Sequence, residues 1–448
     1  MEIFLTRGVG RGGNYDFSPA FTLTNGRFAT NINKFLRKEP VPLTQNWFER
    51  HPKTTVLTIL AVILVALTFV TEKILAWRQP TFQAGVQRFI RLREYRPYFL
   101  QYILPPAVEL AAADNLEAKP YLLRTDGNGF IIPSRIHDAP EMSLMFLGGS
   151  TTACLYMGEE ERFPYVVGRL VEQKAHKKVN SYNSGVGGNY SLHSLNLLFN
   201  KIIPLKPDIV LMCHNINDLT ILLLEGSYWT DNPSRSQLVA LDYTFGRRLK
   251  DIRDFFIPNL TREVNRLSQQ LKQKLRGKKP KEIDEFARVR GRKIQYNEAM
   301  LRAAFRHNLL LFVEICRLHK LQPVLMTQAH RLKADPDPVI KASLRDLEER
   351  QGLSYQEYKR LFFAFNDEIR AVAQEKGILL IDLAAAIPSE KEYLYDIVHF
   401  TAKGSWRVAE VIAATILTHM SASQAHNSIY GTAAAATKES LSWKNHRP

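Results

Sequence analysis

The chain is poor in cysteine and in the short motifs that hold metals and nucleotides. Its three cysteines, Cys154, Cys213 and Cys316, lie far apart. They are too few for a disulfide framework, and no pair has metal-ligand spacing. They read as small buried hydrophobes and leave the redox compartment open. There is no Walker loop, no Gly-x-Gly-x-x-Gly after a strand, no His-Glu-x-x-His and no Cys-x-x-Cys, so neither a metal nor a nucleotide cofactor is expected. Acidic residues are also in deficit: the net charge is +16. A basic balance of that size suits an anionic partner or a membrane surface. No recognition fold or interleaved aromatic pattern accompanies it, so nucleic acid is not expected.

Apolar residues, by contrast, are concentrated in one place. Thr54 to Thr71 is 18 residues without a charge. At about 1.5 Å per helical residue it nearly crosses a hydrocarbon core of roughly 30 Å. Ile74 to Trp77 extends it, Lys73 can snorkel, and Trp47 and Trp77 suit the two interfaces. A single transmembrane anchor helix over 54–77 is expected. The run lacks a polar face, unlike an amphipathic core helix, and it lies too far from Met1 for a short cleaved signal. Lys34, Arg37, Lys38, Arg50 and Lys53 precede it and Lys73, Arg78, Arg88 and Arg91 follow. Five against four does not settle orientation.

The rest of the chain divides around this helix. Residues 1–53 are expected to be poorly ordered at their start, and 78–140 form a juxtamembrane and lead-in segment. Within the latter, Phe82 to Leu104 suits a basic amphipathic helix interrupted at Pro97, lying on lipid or packed on the main domain. From 141 to 420 short apolar strands alternate with longer helical stretches, the signature of βα units and a parallel sheet. Strands are expected near Leu144–Leu147, Val179–Tyr182, Ile209–Cys213, Pro323–Thr327 and Ile378–Asp382. The fold class is therefore α/β, a three-layer flavodoxin-like sandwich of about five parallel strands. An insertion over 225–296 carries much of the charge: Thr244 to Lys293 holds 16 Lys or Arg against 6 Asp or Glu. Phe256, Leu260, Val264, Leu267, Leu271 and Leu275 recur at helical spacing there, so a basic helical lobe is expected. Residues 421–448 are small and polar and read as a disordered tail.

Chemistry enters at Gly148-Gly149-Ser150, directly after the first strand. Two glycines permit a sharp turn into a helix, and the turn exposes the Ser150 hydroxyl beside first-turn backbone N–H groups. Alone, such a turn more often binds phosphate or caps a helix than carries a nucleophile. Three further segments change the balance: Asn183-Ser184-Gly185-Val186-Gly187-Gly188 after the second strand, Asn215-Ile216-Asn217-Asp218 after the third, and Asp396-Ile397-Val398-His399 before the last helix.

In this order the four segments resemble the blocks of the SGNH (GDSL-like) serine hydrolases, with Gly149 where the family usually has Asp and Asn215 where it usually has Gly. The stretch Arg124 to Phe130 also resembles lead-in segments of membrane-anchored bacterial members. The resemblance implies Ser150 as nucleophile, His399 as general base and Asp396 as its orienting carboxylate. It implies an oxyanion site made by backbone N–H of Ser150 and Gly188 and the Asn217 amide. Asp218 is expected to cap the following helix, and Asn215 to keep its turn through left-handed angles. Thr401 is an expected N-cap. His214 and His193 are expected to be packed rather than catalytic. The implied substrate is an acyl ester, foremost an O-acetyl group on an extracytoplasmic glycan, hydrolysed or transferred by a membrane-held enzyme. A lipid esterase and a catalytically silent binding module are the alternatives.

Overall fold

The computed structural model describes residues 46–78, 91–134, 136–230, 232, 235–239, 244–275, 289 and 291–442. The chain forms two compact units, Met1–Leu67 and Thr68–Pro448. In the first, Asn46 caps a short helical turn, Trp47–Arg50, its side chain accepting from Glu49 N–H at 2.9 Å. Helix α1, Pro52–Arg78, then begins at a proline, which suits a first helical position. Within it Pro52–Trp77 is long and apolar enough to cross a membrane, and its apolar side chains face outward on every side. A soluble helix would hide an apolar stripe; here the one buried residue among those described is Glu72, with Leu75 and Ala76 half-buried beside it near the carboxyl end.

In the second unit five strands form one parallel sheet: β1 Met142–Gly148, β2 Val179–Asn183, β3 Ile209–Cys213, β4 Gln322–Met326 and β5 Leu379–Ile381. Their order is 2-1-3-4-5, with β1 registered against β2 (Met145 beside Tyr182) and β3 (Phe146 beside Leu211). This is the flavodoxin-like order expected from the alternation of strands and helices. Alternate side chains enter two cores. Met145, Leu147, Val210, Met212 and Leu325 pack on one face, against the helices Glu298–Leu318 and Tyr355–Lys376. Leu144, Phe146, Leu211, Val324 and Met326 pack on the other, against Phe163–Ala175 and the last helix. Burial on both faces is why these strands read as unbroken apolar runs. Each fully buried leucine or phenylalanine contributes about 1.5–3 kcal/mol.

Three expectations need correction. Residues 79–90 of the juxtamembrane helix lie outside the described residues, but Leu100–Ile103 is a strand, paired antiparallel with Tyr121–Arg124. Pro97 and the left-handed Tyr98 (φ 52°) break any helix there. Pro258 divides the apolar run of the insertion into two helices, Phe245–Phe256 and Pro258–Leu275, and the first of these had no expected counterpart. The last helix runs Ala402–Ser442, so 421–442 is helical rather than an unstructured tail. Its Ala433–Ala436 run has the strongest helix preference of any residue.

Candidate active site

The glycine turn and the segments that end β2 and β3 all lie at the carboxyl ends of their strands, the edge at which parallel sheets bind ligands. Gly149 precedes a four-residue helical turn, Ser150–Ala153, so the Ser150 N–H is among the first-turn amides that have no acceptor within a helix. Asn217 stands in the first turn of helix α2, Ile216–Glu225, after β3. Its side-chain nitrogen donates to the Asn189 carbonyl at 2.9 Å and lies against Gly149, where any Cβ would overlap it. Gly149 is thus the residue that admits the Asn217 amide beside Ser150.

Gly188 adopts φ 73°, a left-handed angle costly for other residues. Two arginines hold the carbonyls of its loop. Arg235 donates to the Gly188 carbonyl, and Arg93 donates to the Gly187 carbonyl at 3.0 Å and to Asn189 Oδ1 at 2.6 Å. Sequence reasoning missed both, because one comes from the lead-in and the other from the insertion, remote from any block.

The loop before the last helix is a tight hairpin: Leu394 bridges Phe400, and Tyr395 N–H donates to the His399 carbonyl at 2.9 Å. Asp396 Oδ1 accepts from the N–H groups of Val398 and His399 at 2.9 and 2.7 Å, which turns its other oxygen to the ring. His399 Nδ1 lies 2.6 Å from Asp396 Oδ2, and Nε2 lies 2.7 Å from Ser150 Oγ. The structure thus brings Ser150, His399 and Asp396 into one hydrogen-bonded line. The Tyr395 ring stacks on the imidazole at 5.6 Å. Thr401 closes the hairpin, its hydroxyl accepting from Gly404 N–H at 3.0 Å at the start of the last helix.

Electrostatics follow from this line. Burial pushes the Asp396 carboxyl up, but the His399 charge and the hydrogen bonds it accepts outweigh burial and hold it below its ordinary value. Burial pushes His399 down, and the Asp396 charge and hydrogen bond, with Glu109 adding to them, raise it above 6.5 instead. Asp396 and His399 keep side-chain exposures of 23% and 27%, so the pair sits at the surface of a cleft rather than within the core.

Arg331 supports the hairpin from behind. It is buried, its N–H donates to the Ile397 carbonyl at 2.8 Å, and its guanidinium reaches the Leu394 carbonyl at 3.3 Å. Asp114 and Asp337 hold it at 2.6 and 2.7 Å.

Other residues of the motif segments do structural work. Asn215 has φ −170°, not a left-handed angle; it is buried and donates to the Phe362 carbonyl at 2.9 Å and to Asn366 at 3.0 Å. Asp218 does not cap its own helix. It accepts from the N–H of Ser191 at 3.1 Å and from the Tyr228 hydroxyl at 2.7 Å, so it caps the helix Ser191–Leu197 that follows the second segment. Its burial pushes the carboxyl up to about 6. His214 is buried against Ser194 Oγ at 2.7 Å, and His193 faces the Ser236 carbonyl at 3.1 Å. Burial pushes both down to about 3, so both rings stay neutral and only weakly basic at neutral pH. The three cysteines are buried thiols. Among the described residues no group of three or more His, Cys, Asp or Glu could hold a metal.

Neither a protein-family profile nor a curated protein matches this sequence. Solved structures do align with it. An α/β hydrolase from the metagenome of Lake Arreo is 15% identical, with 62% of this chain and 95% of that one covered at a TM-score of 0.35. A lipase/acylhydrolase from Enterococcus faecalis is 16% identical over 61% and 95%, at 0.34. An acetylxylan esterase from Geobacillus stearothermophilus is 18% identical over 63% and 96%, at 0.34. At these values the case for function rests on the site geometry.

Proposed function

We propose that the chain is a serine ester hydrolase of the SGNH type, held at a membrane by α1 and acting on an O-acylated glycan. The observation that carries this reading is the run from Ser150 Oγ to His399 Nε2 at 2.7 Å and from Nδ1 to Asp396 at 2.6 Å. A hydroxyl at the end of a parallel strand, paired with an imidazole whose tautomer a carboxylate fixes, is the arrangement that makes serine nucleophilic.

In the reaction His399 Nε2 accepts the Ser150 proton as Oγ bonds to the ester carbonyl carbon. The resulting oxyanion is stabilised by backbone N–H of Ser150 and Gly188 and by the Asn217 amide, each such donor contributing about 3 kcal/mol in the transition state. Asp396 stabilises the imidazolium. When the carbon–oxygen bond to the leaving alcohol breaks, His399 returns the proton to that oxygen. Water then attacks the acyl-enzyme by the same route and frees the acid; a sugar hydroxyl attacking in its place gives transfer.

A polar, aromatic cleft of about 420 Å³ favours a sugar over a long acyl chain. Tyr121, Tyr156, Tyr395, Asn115, Glu159 and Thr401 line it, and Tyr395 is the ring stacked on His399. Flat rings and hydroxyl partners suit a carbohydrate, and a glycan outside the cell places the hydrolase domain on the extracytoplasmic side. The test is acetate release from acetylated oligosaccharides compared with cleavage of long-chain p-nitrophenyl esters and lysophospholipid. Acetate release lost in Ser150→Ala supports the proposal. Preference for long chains assigns the site to lipid, and turnover unchanged in Ser150→Ala overturns the catalytic assignment.

A further inference from the structure

The insertion helices present apolar stripes to solvent. Call Phe245–Phe256 helix α3 and Pro258–Leu275 helix α4. On α3, Phe245, Leu249, Ile252 and Phe256 recur at steps of four, three and four, and Phe255 lies beside Phe256 with the rings 5.2 Å apart. All five are exposed, Phe245 at 76% and Phe255 at 79%. On α4, Val264, Leu267 and Leu271 repeat the pattern and are exposed too. Isolated exposed apolar residues are ordinary, but two consecutive helices with uncovered stripes are a surface awaiting a partner.

Two observations identify that partner. The first is charge: Thr244 to Lys293 carries 16 Lys or Arg against 6 Asp or Glu, and α3 itself interleaves Arg248, Lys250 and Arg253 with its apolar positions. Apolar stripes with basic flanks match the boundary between acyl chains and anionic headgroups. The second is continuity with α1. The Glu72 carboxylate, near the carboxyl end of α1, is buried and accepts from Asn259 N–H at 3.0 Å, Asn259 Nδ2 at 2.6 Å and Leu260 N–H at 2.7 Å. The two backbone N–H groups are first-turn amides of α4, so the end of the apolar helix caps the start of the basic lobe. Within the same unit, Arg262 lies over the Tyr98 ring at 5.9 Å and fixes α4 on the lead-in segment.

We propose that α3 and α4 dock on the surface of an anionic bilayer, with Ile252, Phe255 and Phe256 entering the headgroup region and the basic residues contacting lipid phosphate. This rests on the reading of α1 as a membrane anchor. The lobe then acts as a second contact that orients the hydrolase domain, beyond tethering it.

The test uses the full chain reconstituted in vesicles, with an environment-sensitive fluorophore on one introduced cysteine; the native cysteines are buried and the unsubstituted chain gives the background. With the probe at Phe255→Cys, the expected result in phosphatidylcholine with phosphatidylglycerol is a blue-shifted emission quenched by shallow spin-labelled lipid. The shift weakens in phosphatidylcholine alone and at high salt. Moving the probe to Ile252→Cys in a chain that also carries Phe255→Ser and Phe256→Ser loses it. A probe at Val62→Cys reports the anchor separately, through quenching by deep spin labels in both lipids. A water-like Phe255→Cys signal with a quenched Val62→Cys signal overturns the docking surface and leaves the anchor; water-like signals at both overturn the two together. An equal shift in phosphatidylcholine alone overturns the proposal, and its loss on diluting protein in lipid identifies a second copy of the chain as the occupant.

Discussion

The Asn217 side-chain amide occupies the space that a Cβ on residue 149 would need, and donates to the Asn189 carbonyl at 2.9 Å. Position 149 and the amide are therefore coupled. Gly149→Ala is expected to displace the amide and lower kcat by about 10²- to 10³-fold, the range for losing one oxyanion donor, with little change in KM. Asn217→Ala should fall in the same range, and the double variant should be no worse than the lower single. Steady-state kinetics on a short-chain ester check this; additive losses would separate the two positions.

The pH dependence of kcat/KM follows from the base. His399 must be neutral to accept the Ser150 proton, and Asp396 raises it above 6.5, so activity should rise with pH along a limb centred above that value. Asp396→Asn removes the charge that outweighs burial. The limb is then expected to move to lower pH while the plateau falls by up to about 10⁴-fold. A pH–rate profile of both proteins reads the shift.

Arg331 touches no reacting group, yet it binds the hairpin that carries the base, at the Leu394 and Ile397 carbonyls. Arg331→Met keeps the backbone N–H bond to the Ile397 carbonyl but leaves the Leu394 carbonyl, Asp114 and Asp337 without the guanidinium. The expected result is a kcat lower by about 10- to 100-fold, as for misplaced catalytic groups, with KM less affected. A guanidinium salt that restores kcat would mark the role as positioning; loss of the folded state's Tm alone would mark it as structural.

How much was legible in sequence varied with the range of the interaction. The strands and the Asp396–His399 spacing were legible because both are local: burial on two faces makes an apolar run, and a three-residue step makes the hairpin. Arg93 and Arg235, which hold the Gly187 and Gly188 carbonyls, were not, since each reaches its loop from another part of the chain. Asp218 was misread for the same reason, as its partner Ser191 lies 27 residues upstream. Pro258 was legible in principle as a helix break, but the continuous apolar spacing through it masked the two-helix lobe.

Asp218 gives a stability prediction of its own. Its folded value of about 6 stands above the ordinary 3.8. Folding therefore favours the protonated form: the contribution is full below the unfolded value and is lost as pH rises through the folded one. Stability should decline between about pH 4 and 6 through this group, and Asp218→Asn should flatten that part of the profile. Thermal unfolding across that window, in the wild type and the variant, measures the difference.

In the proposed mechanism Ser150 is the nucleophile and His399, 2.7 Å away, activates it. The most direct measurement is mass-spectrometric mapping of the adduct formed with a fluorophosphonate. The expected result is one phosphonylated residue, Ser150, with no adduct in Ser150→Ala and greatly slowed labelling in His399→Ala. An adduct on another residue, or labelling at Ser150 that proceeds unchanged without His399, would contradict it.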